Sequence, residues 1–315
     1  MATKLPEARA TRDENLGAFE TKRMRINVGP QHPSTHGVLR LVVDLEGERI
    51  VSLKPYIGYL HTGFEKTMEN RTYQQCVTYA NRMDYVNGFA HDLAYVLAAE
   101  KLLDARVPVR AQRVRVILVE LNRIASHLVF FGTTLLDMGA LTPFFYCMRE
   151  REKILDIFEA VSGVRMNYGY FRVGGLYRDV PENFEPMVRQ FVKEFPDYLD
   201  QYKDLFMGND ILEARTRGVA VLTRQQALDW CLTGPSLRAS GVPLDFRKAA
   251  PYSGYQDYDF DVPCYDDGDI WARMQVRMDE MHESLRIVAQ AIDRPSKVAV
   301  PRPISSRMTS DRGPA

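Results

Sequence analysis

Residues 110–137 read RAQRVRVILVELNRIASHLVFFGTTLLD. Within them Ile117, Leu121, Ile124, Leu128, Phe131 and Leu135 recur at alternating steps of four and three, the period of one buried helical face. Further apolar residues lie off that face, so the stretch is expected to be a central helix of a bundle rather than a surface helix. It is not expected to span a membrane. Arg115, Glu120, Asn122, Arg123 and His127 interrupt it, and no uninterrupted run of about 18 apolar residues occurs anywhere in the chain. Contact with a membrane pool would therefore go through other subunits or a shallow docking surface.

On the C-terminal side, Gly139 suits a helix stop. Thr142-Pro143 is a cap and first-turn pair for a next helix ending near Gly163. On the N-terminal side, two helices are expected over about 63–81 and 85–103. Before them the pattern is that of strands: Ile26–Val28, Val38–Leu45 and Arg49–Lys54 form a small antiparallel meander with a turn at Glu46-Gly47-Glu48. Beyond Gly163, residues 170–175 read as a strand and tight turn. Further helices are expected at Glu185–Phe206 (broken or kinked at Pro196), Arg224–Leu232 and Asp269–Ile292. In the last, Met274, Met281, Leu285, Val288 and Ile292 share a face. Thr233–Val262 reads as an ordered surface layer. The fold class is thus α+β, a β-meander packed on a helical bundle. The organisation expected is a flexible arm over 1–22, the meander over 23–60, the bundle with short strands over 61–294, and an atypical unstructured tail over 295–315, where prolines are dense and apolar residues few.

The 315 residues balance 41 Lys and Arg against 41 Asp and Glu. Such a chain offers no electrostatic case for nucleic-acid or anionic-membrane binding, and zero net charge favours association with partner proteins. The four cysteines, Cys76, Cys147, Cys231 and Cys264, lack close spacing and are expected to be buried free thiols. No secretory leader is expected from the polar N-terminus. No dinucleotide fingerprint follows a strand, so no NAD site is expected on this chain.

Three places carry candidate chemistry. The first is the loop His32-Pro33-Ser34-Thr35-His36-Gly37, stiffened by its proline and held between strands. Such a loop can aim one imidazole into a cavity, and imidazole exchanges protons near neutral pH. A turn histidine bonded to nearby backbone is the plainer alternative; Pro33 argues against a helical two-histidine metal site. The second is Asn81-Arg82-Met83-Asp84-Tyr85, at a helix junction, where the Tyr85 hydroxyl can donate to a carbonyl oxygen. A buried structural tyrosine is the alternative. The third is Asp137, which follows the apolar segment 128–136 and stands at a helix C-terminus, a poor place for negative charge unless a partner such as histidine is near. His91-Asp92 and Glu120-Arg123-His127 lie at helical spacing and read as structural ion pairs or polar stripes.

These residues also carry a resemblance. GPQHPSTHGVLRL from Gly29, GYLHTGFEK from Gly58, NRMDY from Asn81, SHLVFFGTTLLDMGALTPFFYCMRERE from Ser126, TGPSLRASG from Thr233 and FDVP from Phe260 resemble the D subunit of bacterial NADH–quinone oxidoreductase, respiratory complex I. The likeness covers roughly Arg23–Arg294. It implies a fold like the nickel–iron hydrogenase large subunit, with the old metal cavity turned into a quinone cavity. Gly58–Gly63 stands where a first cysteine pair would bind that metal, so no metal is expected. It implies that His36 and Tyr85 flank the quinone carbonyl, that Asp137 bonds His36, and that Arg82 lies toward an iron–sulfur cluster held by the neighbouring B subunit. Related proteins often carry a histidine where this chain has Asn167, and the family continues beyond the point where this chain turns into its proline-rich tail, so the C-terminal part is expected to be missing.

The function so implied is electron transfer from the neighbour's cluster to quinone, coupled to proton translocation and active only in the complex. The B and C subunits and the quinone-site membrane subunit are the implied partners. The implied location is peripheral, on the cytoplasmic side of the bacterial membrane. The rival readings are a non-catalytic truncated scaffold subunit and a hydrogenase-like metal enzyme.

Overall fold

The computed structural model describes residues 22–35 and 37–294. Residues 1–21, His36 and the segment 295–315 lie outside the described residues. The chain divides into two compact units between Phe64 and Glu65.

The first unit is a three-stranded antiparallel sheet in the order β1-β2-β3: β1 Arg23–Val28, β2 Arg40–Glu46 and β3 Arg49–Tyr56. Ile26 faces Val43, which in turn faces Leu53, and a bulge falls between Asp44 and Leu45. Val43 is buried, whereas β3 is exposed along its whole length. Across the sheet Arg25 Nε donates to Asp44 Oδ1 at 2.7 Å, and Ser52 Oγ donates to Asp44 Oδ2 at 2.8 Å. Those two donors hold the Asp44 carboxyl down at about 2.

The second unit is built on α4, Val109–Asp137. Every residue from Val114 to Asn122 is buried, so α4 is enclosed on all sides at mid-length. It packs on α5 (Leu141–Ser162), α11 (Ile270–Asp293) and α3 (Gly88–Leu103). Helix α6, Phe184–Tyr202, packs on α5 and α11 and buries Phe184, Val188, Phe191, Phe195, Leu199 and Tyr202, a single face at steps of three and four. Burying such an aromatic or aliphatic side chain contributes about 1.5–3 kcal/mol relative to leaving it exposed.

A buried α4 carries its polar residues inward, where each must find a partner. Arg115 donates to Glu100 Oε1 at 2.6 Å and to the carbonyls of Arg172 and Gly175 at 2.8 Å, pinning the small hairpin β4–β5 (Phe171–Arg172 and Gly175–Leu176) to α3 and α4. Glu120 accepts from Arg247 Nη1 at 2.9 Å and Ser284 Oγ at 2.6 Å, with the Tyr255 hydroxyl on its other oxygen. His127 Nε2 lies 2.8 Å from Glu280 Oε2, and the other Glu280 oxygen accepts from Arg238. Burial opposes ionisation of Glu120, but the Arg123 and Arg247 charges and the Ser284 and Tyr255 hydroxyls outweigh it and hold the carboxyl at about 2. Glu120 pairs with Arg123 at 3.2 Å one turn along the helix, as their spacing suggests, whereas His127 finds its partner on α11.

Several boundaries differ from expectation. The helix expected over 63–81 is two: α1 Phe64–Met68 and α2 Tyr73–Ala80, separated because Thr72 and Gln75 form a reciprocal capping box that starts a new helix. Helix α5 starts at Leu141 with Ala140 at its cap, so Thr142 is inside the helix and not its cap. Helix α6 runs through Pro196, and the irregularity falls after Tyr202 as a π turn over Lys203–Met207. The segment 233–262 is no mere surface layer. It holds α9 (Gly234–Arg238) and α10 (Phe246–Ala249), and it sends Tyr255, Tyr258 and Phe260 into the core. Cys231 is exposed with φ +53 and Cys264 only half-buried, not buried as expected.

Candidate functional site

The loop before β2 begins at Gly29, whose φ is +86 and whose added Cβ would fall 2.0 Å from the Leu39 carbonyl oxygen. Only glycine admits that approach. An isolated bridge pairs His32 with Gly37, and between them Pro33–Thr35 form one 3-10 turn. His32 Nδ1 accepts from the Ser34 N–H at 3.1 Å, and its carbonyl accepts from Thr35 Oγ1 at 2.8 Å. His32 is therefore the turn histidine bonded to backbone. His36 itself lies outside the described residues.

Arg82 and Tyr85 share one short turn between α2 and α3. Its backbone closes through Arg82 N–H to Tyr79 O at 3.1 Å and Asn87 N–H to Asp84 O at 3.1 Å. Asp84 caps the middle by accepting from the Val86 N–H at 3.2 Å, and its other oxygen lies 3.8 Å from His91 Nε2. The nearby His91 imidazole holds the Asp84 carboxyl below its ordinary range. Asn122 of α4 reaches in from the core: its Nδ2 donates to Val86 O at 3.1 Å and its Oδ1 accepts from the Phe89 N–H at 2.9 Å. The turn is anchored from beneath while Tyr85 stays 47% exposed and Met83 beside it is equally so. Tyr85 is thus not the buried structural tyrosine that was the alternative. Arg82 is exposed, with one guanidinium nitrogen donating to the Thr78 carbonyl.

Asp137 is the last residue of α4 and is exposed. Next to it Leu135, Met138, Ala140, Pro143, Phe206 and Leu212 line an apolar cleft of about 180 Å³, with Arg215 Nη1 donating to Met138 O at 2.9 Å at its edge. Asp137 stands 15 residues beyond Asn122, about 22 Å along the helix axis. His36, which is expected to bond Asp137, belongs to the other unit.

Sequence reasoning missed three supports: Asp84, His91 and Asn122. The pairing expected of His91 with Asp92 is not made. His91 faces Asp84, whereas Asp92 is buried and neither of its oxygens makes a hydrogen bond of ordinary geometry among the described residues. Asn122 could have been suspected, since an amide in the middle of a buried helix must satisfy backbone groups elsewhere. Among the described residues no group of three or more His, Cys, Asp or Glu side chains is placed to hold a metal ion. No helix among them is long and apolar enough to cross a membrane.

Residues 137–309 match the family described as respiratory-chain NADH dehydrogenase, 49 Kd subunit. The D subunit of NADH-quinone oxidoreductase from Thermus thermophilus is 57% identical over 292 residues, covering 92% of this chain and 71% of that one. The D subunit from Deinococcus radiodurans is 59% identical over 276 residues, 88% of this chain and 69% of its own length. The chain belongs to this family. As a D-type subunit of NADH–quinone oxidoreductase it is part of a multi-subunit oxidoreductase, complex I, and acts within that assembly.

Proposed function

We propose that this chain forms part of the site at which complex I reduces quinone. The observation that carries the proposal is the Tyr85 turn: every anchor beneath it is fixed, by Asn122 and Asp84, while the phenol is left available. Quinone reduction takes up two electrons and two protons, one per carbonyl oxygen. The Tyr85 hydroxyl donates a hydrogen bond to a carbonyl oxygen of the head group, and the His36 imidazole is the second proton donor. Asp137 orients His36, fixes its tautomer and favours its protonated form. A fixed donor lowers the cost of placing negative charge on the reduced oxygen. The apolar cleft beside Asp137 supplies a dry surface of the kind an apolar substrate needs.

The electrons come from an iron–sulfur cluster in the neighbouring B subunit, toward which Arg82 projects its charge. The B and C subunits and the quinone-site membrane subunit are the partners, on the cytoplasmic side of the membrane. Asn167 carries no titratable proton, so any proton coupled to the cluster binds elsewhere. Replacing His36 and Tyr85 in the assembled enzyme tests the reading. Quinone reductase activity is lost, while NADH oxidation by an artificial acceptor continues. Unchanged quinone kinetics in both variants would reject it.

A further inference from the structure

Asp92 lies one helical turn after Gly88, on the same face of α3. A Cβ added at Gly88 would sit 3.4 Å from both the Cβ and the carbonyl oxygen of Asn81 and 3.5 Å from the Tyr168 ring. One added at Gly169 would sit 3.8 Å from Asn81 Nδ2 and 3.9 Å from Arg172 Nη1. These approaches gather Asn81, Asp92, Tyr168 and Arg172 at one place beneath the start of the Tyr85 turn, which Asn81 opens as the C-cap of α2. Asn81 and Asp92 are both 0% exposed. Their four side-chain polar atoms make no hydrogen bond of ordinary geometry among the described residues. So many unmatched polar atoms at one buried spot call for an explanation.

An ionised carboxylate in that setting is costly, and taking up a proton removes the charge. Burial raises Asp92 to about 7, although the Asn81 amide, the Arg172 guanidinium, the Gly169 N–H and His91 all pull the other way. The charged and titratable groups around it are few. His91 comes from α3 itself, Arg172 from β4 and Tyr168 from the segment before it, with Arg151 of α5 acting on Tyr168. The residue that α2 places here is the neutral Asn81, and α4 meets the start of α3 with the neutral Asn122.

We propose that Asp92, walled in by Asn81, Tyr168 and Arg172, is an internal proton-binding site whose charge positions the Tyr85 turn. The two states make opposite demands on Asn81. A neutral carboxyl donates its O–H to the amide oxygen, whereas a carboxylate requires the amide N–H₂. Because Asn81 opens the turn, switching between these states shifts the backbone that carries Arg82 and Tyr85. Asp92 is then a positioning residue, and its effect on turnover rests on the quinone-site reading above.

The test is pH-difference infrared spectroscopy on the assembled complex, with kinetics beside it. The wild type shows a protonated-carboxyl stretch that fades with a midpoint near pH 7. Asp92→Asn lacks it and keeps one quinone KM across the range over which the wild-type KM changes. Arg172→Gln, which leaves the carboxyl in place, moves the midpoint up by about one pH unit. A band unchanged in Asp92→Asn, or a midpoint unmoved in Arg172→Gln, overturns the proposal. Tyr85→Phe separates it from the quinone-site reading: unaltered quinone kinetics there sink that reading alone, and the infrared midpoint still decides Asp92.

Discussion

Asn122 Nδ2 donates to the Val86 carbonyl at 3.1 Å while its Oδ1 accepts the Phe89 N–H at 2.9 Å, so one side chain from the middle of α4 fixes both ends of the last turn before α3. Removing it strands two buried backbone groups, at a cost of about 1–3 kcal/mol each. Asn122→Leu is expected to lower stability by roughly 2–4 kcal/mol in denaturant titration. In the assembled complex its quinone KM rises more than its rate with an artificial acceptor falls. Equal losses in both assays would mean that the turn has no special bearing on quinone.

Among the described residues the Tyr85 hydroxyl has no hydrogen-bond partner that a phenylalanine would forfeit, and the residue is 47% exposed. Tyr85→Phe should therefore leave stability within about 0.5 kcal/mol of the wild type. Loss of one proton-donating group in the transition state is expected to slow quinone reduction by about 10²-fold. Thermal unfolding and steady-state kinetics on the same preparation check both halves.

Glu120 and Asp92 predict opposite responses to pH. The folded Glu120 carboxyl is held at about 2, below its ordinary 4.5, so the unfolded chain binds more protons between those values. Its contribution is complete above about pH 5 and is lost as pH falls toward 2. Glu120→Gln takes the carboxylate from Arg123 and leaves Arg247 to Asp245 alone, costs about 3–5 kcal/mol near neutrality, and flattens the acid limb of the stability curve.

The folded Asp92 carboxyl stands at about 7, above its ordinary 3.8, so here the folded chain binds more protons. Stability attributable to Asp92 therefore declines as pH rises from about 4 to 7 and is level above that. Asp92→Asn should remove the decline and be more stable than the wild type at about pH 8, by roughly 2–4 kcal/mol. Melting temperatures of both proteins across that range decide it; parallel curves would show that Asp92 stays ionised throughout.

Gly29→Ala forces a Cβ to within 2.0 Å of the Leu39 carbonyl oxygen at φ +86. The loop between β1 and β2 must then shift, at a cost of about 1–3 kcal/mol. Quinone kinetics should suffer through His36, without loss of artificial-acceptor activity. Wild-type quinone kinetics in this variant would show that the loop's path does not matter to the reaction.

What the sequence disclosed best was whatever depended on period. The α4 stripe depends on which way neighbouring residues face, and that is local information. The break at Thr72–Gln75 is also local, but its capping box lies inside a helical pattern that masks it. Pro196 misleads because the proline's lost N–H sits within a helix that continues, whereas the π turn at Lys203–Met207 has no residue that announces it. For the proposed site, motif and position point to Tyr85 and Asp137, and the resemblance adds Arg82. Asn122, Asp84 and the isolation of Asp92 were not visible in this way, because each depends on which distant backbone group or empty side a polar atom meets. The pairing of His91 with Asp84 across the turn, and not with its neighbour Asp92, is a matter of helical direction that spacing alone does not resolve.

The reach of the α4 polar groups also bears on how the chain is made. Arg115 finds its last carbonyl partner 60 residues downstream at Gly175, and Glu120 waits 164 residues for Ser284. At a ribosomal pace of about 5–20 residues per second, Glu120 emerges roughly ten to thirty seconds ahead of the hydroxyl that completes its shell. Throughout that interval the nascent chain carries a greasy helix with unquenched ions along it. Maturation is in that sense closed by α11, and a ribosome stalled before Ser284 would leave a product suited to chaperone custody rather than to assembly.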